Sequence, residues 1–522
     1  MTEDMPEARR RADSAWKAYL AYTFSAAVFL YPFMRTLFIG SDEGTFLVGA
    51  ERILRGQVFA RDFFEVMGPG TFYWMAAFFK LFGDNFLAAR LCLFVSMMGT
   101  CLTLYYLSRQ VCERYRLLPC LMLAGPYFGF LGQVESHHVD SNLFALLSIT
   151  CVVLWERSRK TSLIVIAGAL AGVTACFLQP KGVLLAGAIL AWLVWLHRGC
   201  VAVPIRAAAL AAAGFCAAIS VELIYFWSQG ALANLIDANF VFPSTHYGAV
   251  NSVRYAQGID VAWGFWVTRP DAMQWPAGVA AVMVIPALFI AALPAILLAL
   301  GFCYRWKAVQ PVVVLYWLCG CALWFSEFHR RDIHHLAYGS PLLVILCFHM
   351  LSQLAGRWAR AVVTALAVCA AGLAILNWFV AFSIPTVQTR AGSAALIGPD
   401  AAQTIRFLDA HVNPGEDVLI YPYSPAYYFF SKTLDPTPFS FMLHNYNTPE
   451  QYREVADILE QRRVRYVVWD AQLESKLLDE LPAAVRPKSI GPWIVEPYLK
   501  SHYETVTQYG SAQILQRIPE AK

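Results

Sequence analysis

The sequence predicts a polytopic α-helical membrane protein that ends in a small α/β domain. Three observations predict it. Apolar runs long enough to cross a bilayer recur as far as residue 383, basic residues gather in alternate loops between them, and beyond residue 383 the composition becomes that of a soluble domain. Of the 522 residues, 58% are hydrophobic and only 15% charged, against roughly 45–50% and about 25% in ordinary soluble domains. The net charge of +4 is small for this length and makes no case for nucleic acid. What matters is where the Lys and Arg lie. All thirteen Cys fall between Cys92 and Cys369, mostly within apolar runs. They read as small buried hydrophobes, neither a disulfide framework nor clustered zinc ligands.

A helix needs about 20 apolar residues to cross the hydrocarbon. Candidate spans run near 18–38, 86–108, 117–132, 139–156, 162–178, 182–197, 204–227, 276–302, 309–326, 336–355 and 359–383. A further run, 68–82, is short, opens with Gly68-Pro69-Gly70 and carries Lys80 near its end, which suits a helix lying at the interface. Lys and Arg concentrate on cytoplasmic loops. If 68–82 does not cross, the inner loops hold Arg9, Arg10, Arg11 and Lys17; Arg109, Arg114 and Arg116; Arg157, Arg159 and Lys160; Arg198 and Arg206; Arg305 and Lys307; Arg357 and Arg360. If it did cross, every later cluster would flip. The expectation is therefore eleven spans, the N-terminus inside and the C-terminus outside, the first span reading as an uncleaved signal anchor.

The outer loops are unlike the inner ones. The first, 39–85, begins with Asp42 and Glu43 and holds two amphipathic pieces, about 44–55 and 68–82. The others carry GQVESHHVD (132–140), LQPKG (178–182), the stretch from Ser228 to about Trp275, and the basic cluster EFHRRDIHH (327–335). In the C-terminal part, residues 400–412 have the helical period, NPGEDVLIYPY (413–423) reads as a turn and a strand, 448–463 as a helix capped by Thr448, and VRYVVWD (464–470) as a strand. YETVTQYG and SAQILQR suggest a final hairpin. The chain thus divides into a transmembrane domain, 1–383, and an extracytoplasmic α/β domain, 384–522, in which no phosphate loop, nucleophile elbow or metal-ligand spacing is seen.

Acids and bases gather on the outer side. Asp42 and Glu43 follow a span directly, Glu65 precedes the Gly-Pro-Gly break, and Arg90, Lys181, Arg254, Arg330 and Arg331 share that face. Arginine and lysine hold a phosphate and stabilise it as it leaves, and a carboxylate takes the proton of an attacking hydroxyl. That set suits transfer of a sugar from a polyprenyl-phosphate carrier, whose lipid tail demands a groove in the membrane. Each residue has a plainer reading: Arg90 an interfacial anchor, Arg254 and the acidic pair solvated groups. His137 and His138 with Glu135 or Asp140 could ligate a metal, but adjacent loop histidines are more often solvated. No cofactor is expected; a divalent metal is possible but not indicated.

DEG at the end of the first span, ILRGQVFARDFFE, an aromatic interfacial helix ending in KLFG, and then AARL resemble the membrane glycosyltransferases of the GT-C class. The likeness is to the protein O-mannosyltransferases and the lipid A aminoarabinose transferase. It extends to PKG, the His-rich loop before HLAYGSPLL, and PGEDVLIYPY. The resemblance implies a GT-C-like fold and an inverting hexosyl or pentosyl transferase. Asp42 would be its general base and Glu43 the usual neighbour of that base. Glu65, Arg90, Lys181, Arg254, Arg330 and Arg331 would bind substrate, with Lys181 and the Arg330/Arg331 pair at the donor phosphate. Two departures stand out: Val66-Met67-Gly68-Pro69-Gly70 lacks the Lys common in that loop, and Tyr338 stands where Pro is common. The partners implied are a polyprenyl-phosphate-linked sugar and a glycan, lipid or protein acceptor, at the outer face of a bacterial cytoplasmic membrane. A transporter or flippase of lipid-linked sugars is the alternative. It should show midplane charges and an internal repeat, and neither is evident. A scaffold or lectin-like protein would leave the outer acids and bases unexplained.

Overall fold

A computed structural model describes residues 5–112, 114–124, 134–196, 202–247, 253–259, 277–303, 309–354, 356–398, 400–443, 447–473 and 494–519. The N-terminal part is helical: α1 (Met5–Leu30), α2 (Glu43–Leu54), α3 (Gly70–Phe82), α4 (Phe86–Val111), α5 (Leu118–Ala124), α6 (His137–Ser158), α7 (Thr161–Phe177), α8 (Gln179–Leu196), α9 (Ala202–Ser228), α10 (Leu232–Ile236), α11 (Ala277–Cys303), α12 (Pro311–Ser326), α13 (Ile333–Gly339), α14 (Pro341–Gln353) and α15 (Arg357–Ser383). The protein is a polytopic membrane protein. Among the described residues six helices are long and apolar enough to cross a bilayer (α4, α6, α8, α9, α11 and α15), or seven if α13 and α14, bent by 70°, are one span. Eleven are expected from the sequence. At the remaining positions α7 and α12 are apolar but shorter, most of the expected span 117–132 lies outside the described residues, and α1 begins among side chains outside the described set.

The elements correct several boundaries. The first expected span, 18–38, stops being an α-helix at Leu30, because Pro32 opens a 3-10 turn (Tyr31–Arg35) that leads into strand β1 (Thr36–Phe38). LQPKG is no loop: Pro180 and Lys181 lie in the first turn of α8, where a proline lacks only an N–H that would have no helical partner. His137 and His138 also open a helix, capped by the Ser136 hydroxyl, which accepts from Val139 N at 3.4 Å. The short interfacial piece is α3, whose 13 residues span about 20 Å at 1.5 Å each, less than the hydrocarbon thickness. Its Gly-Pro-Gly start is a close approach. A Cβ on Gly68 would meet the Phe177 carbonyl oxygen at 2.7 Å, so only glycine lets the loop settle on the end of α7.

The C-terminal part builds two sheets from β2 (Val387–Thr389), β3 (Gly392–Ile397), β4 (Val418–Tyr421), β5 (Tyr466–Asp470), β6 (Tyr503–Tyr509) and β7 (Ala512–Arg517), with helices α16 (Ala401–His411), α17 (Ala426–Ser431), α18 (Pro449–Arg462) and α19 (Val495–His502). The four-stranded sheet has the order β4-β5-β7-β6, with β4 and β5 parallel and the other pairs antiparallel. Thr448 and Gln451 form a capping box ahead of α18, as that sequence pattern favours. The three-stranded sheet, β1-β3-β2, has a strand from each part of the chain: β1 lies parallel to β3 with Thr36 opposite Ala395 and Phe38 opposite Ile397. One apolar core accordingly joins Leu47 and Val48 of α2 and Met75 of α3 to Ile405, Val418 and Phe430.

Candidate active site

Four residues separate β1 from α2; Asp42 is the last of them and Glu43 opens the helix. Ser41 turns the chain, its hydroxyl donating to Phe38 O at 2.6 Å, and Asp42 occupies the N-cap position of α2 without capping it. The Asp42 side chain is exposed and its Oδ1 instead accepts from the Tyr423 hydroxyl at 2.5 Å. Gly44 explains the third letter of DEG: a Cβ there would collide with the Ala426 backbone nitrogen, so glycine lets α2 approach the start of α17.

The two acids part company at this point. Glu43 is fully buried and forms an ion pair with Arg90, itself 2% exposed. Arg90 also donates from Nη1 to Thr36 O at 3.0 Å and lies 4.7 Å from the Phe86 ring centroid. Arg90 is therefore a strut joining α4, α2 and β1, not an interfacial anchor. Both partners of this pair are buried, unlike Asp42.

Glu65 is completely buried, with the Ser440 hydroxyl and the charges of Arg52 and Asp42 around it. Burial is the main reason its carboxyl is pushed up to about 8, so it is largely protonated at neutral pH. Arg52 is committed elsewhere, to Asp435 at 3.1 Å and the Thr437 carbonyl at 2.5 Å. A second carboxyl pair lies beneath α3. Asp140 accepts from Thr71 at 2.8 Å and Ser96 at 2.6 Å. Beside it, burial and the charge of Asp140 raise the Glu135 carboxyl well above its usual range.

Lys181 also lies inside. Its ammonium donates to Ser141 (3.1 Å) and Asn142 (2.8 Å) and sits 2.7 Å from Glu327 Oε1. The sequence places it in an outer loop; it is instead fully buried in the first turn of α8. The remaining arginines do converge. Ala256 N donates to Arg331 O at 2.7 Å and Ile333 N to Gln257 O at 2.9 Å, which lays the loop carrying Arg254 along the one carrying Arg330 and Arg331. Arg254 is exposed, and Arg330 pairs with Asp332 at 2.9 Å while 40% of its side chain remains exposed. Most of the long loop that holds Arg254, from 260 to 275, lies outside the described residues.

Two participants escape a reading of the sequence. Tyr423 sits in an aromatic-proline run that reads as the end of a strand, and its partner is 381 positions away. Glu327 reads as one acid among exposed bases, yet it is fully buried between His138 and Lys181.

Residues 67–225 match the family described as dolichyl-phosphate-mannose-protein mannosyltransferase. The whole chain is similar to the structure of ArnT from Cupriavidus metallidurans bound to undecaprenyl phosphate: TM-score 0.55, 13% identity, 97% of this chain and 99% of that one covered. The apo structure of the same protein aligns at TM-score 0.43 and 12% identity over 97% and 98%. No curated protein sequence matches. The chain therefore has an ArnT-like fold, in keeping with the GT-C resemblance of its sequence.

Proposed function

We propose that this protein is a membrane glycosyltransferase that moves a sugar from a polyprenyl-phosphate carrier to an acceptor hydroxyl, with Asp42 as general base. One observation carries the assignment: of the two adjacent acids only Asp42 is exposed, whereas Glu43 is buried against Arg90. Tyr423 engages Oδ1, which leaves Oδ2 to take the proton. In the reaction the acceptor oxygen attacks the anomeric carbon as the bond from that carbon to the phosphate oxygen breaks. The electron pair leaves with the polyprenyl phosphate, the acceptor proton passes to Asp42, and the anomeric configuration inverts. In this reading Arg254, Arg330 and Arg331 would hold the departing phosphate, whose charge grows as the bond breaks.

The ArnT-like fold, with undecaprenyl phosphate bound to that relative, supports a lipid-phosphate donor. The GT-C resemblance supports a hexosyl or pentosyl group, and the placing of Lys and Arg in alternate loops supports a site at the outer face of the cytoplasmic membrane, with the 384–522 part as an extracytoplasmic domain. The test is reconstitution of the purified protein with polyprenyl-phosphate sugars and a panel of lipid, glycan and protein acceptors. Transfer by the parent and its loss in Asp42→Asn support the reading. Lipid-linked sugar crossing the bilayer without transfer would assign a flippase instead.

A further inference from the structure

We propose that His138, Glu327, His329 and His335 form a binding site for a divalent transition metal, Zn2+ foremost. Each offers one ligand atom, and the four atoms lie within 4.8 Å of one another. A tetrahedral zinc with Zn–N of about 2.0–2.1 Å keeps its ligand atoms roughly 3.3–3.5 Å apart, so side-chain rotations of about an ångström close the site. His138 comes from the first turn of α6, Glu327 and His329 from the turn between α12 and α13, and His335 from the first turn of α13. The sequence leaves a divalent metal possible but not indicated, because these ligands are split between two distant segments. The histidine pair at 137–138 also does not act as a unit, since only His138 joins the cluster.

The surroundings orient the ligands. His335 Nδ1 lies 2.8 Å from Asp332 Oδ1, and His329 Nδ1 lies 3.1 Å from the Ser326 carbonyl oxygen. Both partners only accept, so each Nδ1 carries the proton and each Nε2 keeps its lone pair for a cation. Asp332 is in turn held by the His334 and His335 N–H groups (3.0 and 3.1 Å) and by Arg330 Nε (2.9 Å).

An independent observation concerns Glu327. It is wholly buried, 2.9 Å from His138 Nδ1 and 2.7 Å from Lys181 Nζ, so an oxygen donor already faces the imidazole cluster from inside the protein. A buried carboxylate needs positive charge beside it. A metal ion would engage Glu327 and His138 at once. Lys181 is the competitor: it holds Oε1, leaving Oε2 and three imidazoles, and its charge lowers the affinity for a cation. Three nitrogens and one carboxylate suit Zn2+ and its first-row neighbours and not Mg2+ or Ca2+, which take oxygen ligands. His329 is exposed, so the site opens to solvent on that side. It also adjoins α2: His137, 4.0 Å from the His138 ring, lies 6.0 Å from the ring of Phe46, one turn beyond Asp42.

The test uses the full-length, tag-free protein in detergent, stripped with chelator and dialysed. Metal content by mass spectrometry and titration with Zn2+ alone should give about one equivalent per chain, and Co2+ should produce visible d–d bands, with no competition from millimolar Mg2+. His329→Ala and His335→Gln should each weaken Zn2+ binding at least 10-fold, and Asp332→Asn by about 10- to 100-fold with an altered Co2+ spectrum. Because His329 is exposed, His329→Ala should melt like the stripped parent, so lost binding cannot be blamed on unfolding. Absence of stoichiometric Zn2+ binding, or binding undiminished in the His329→Ala/His335→Gln double variant, overturns the proposal. The readout is independent of transferase activity, so it can fail while the glycosyltransferase reading stands.

Discussion

The Tyr423 hydroxyl donates to Asp42 at 2.5 Å, so a residue of the C-terminal α/β part touches the carboxylate at the head of α2. Removing each partner should separate chemistry from positioning. Asp42→Asn should lower transfer by about 10²–10⁴-fold, the usual share of a general base, with donor binding retained. Tyr423→Phe should keep the base and cost less, mostly in kcat. An Asp42→Asn protein with near-full transfer would refute the assignment.

Glu43 should behave differently from its neighbour. Breaking its buried pair with Arg90 leaves one charge without compensation, a loss of about 3–5 kcal/mol. Glu43→Gln and Arg90→Met should therefore each lower thermal stability in detergent. The double variant should lose less than the sum, because neither charge is then stranded. A Glu43→Gln protein that melts like the parent but has lost transfer would restore a chemical role to Glu43.

Glu65 predicts a pH dependence. Its folded carboxyl titrates near 8, above its ordinary value of 4.5, because burial favours the protonated form. The stabilisation is complete below about pH 4.5 and is lost as pH rises through 8, with a slope approaching 1.4 kcal/mol per pH unit between those limits. Glu51, pushed up to about 7, adds a slope of the same sign. Melting temperatures taken from pH 5 to 8 should fall less steeply in Glu65→Gln than in the parent. Parallel curves would mean that Glu65 is ionised in the folded protein.

The arginine rim should govern donor use. Arg254→Ala, Arg330→Ala and Arg331→Ala each remove a charged contact worth on the order of 1.5–3 kcal/mol, or roughly 10- to 150-fold in donor binding. Arg330→Ala also releases Asp332, so its loss should be the largest of the three. Titration with polyprenyl phosphate measures this directly. Unchanged affinity in all three variants would return the rim to an ordinary solvated surface.

Much of this was legible in the sequence, because hydrophobic runs and helix signals are local. Thr448 with Pro449 marks the start of α18, and the Gly-Pro-Gly break marks the start of α3. What failed was the fate of individual charges. Arg90, Lys181 and Glu43 all read as outward-facing groups of a membrane surface, and all three are buried. Whether a charge is solvated or buried depends on a partner brought by another segment, here Glu43 for Arg90 and Glu327 for Lys181. The expected span 18–38 runs through Pro32 and takes in β1, because a three-residue strand directly after a span gives no periodic signal of its own. It becomes a strand because β3 lies beside it.

That strand has a consequence for how the protein is made. β1 leaves the ribosome early, and its partner β3 follows only after the last long membrane helix, Arg357–Ser383. At about 5–20 residues per second, the gap is on the order of tens of seconds. Throughout it the first loop waits with an open strand edge, and the Asp42 turn has neither β3 nor Tyr423 to hold it. The Asp42 turn is thus assembled among the last events of biogenesis, and a nascent chain arrested before β3 would already be threaded through the bilayer with that turn still unsupported.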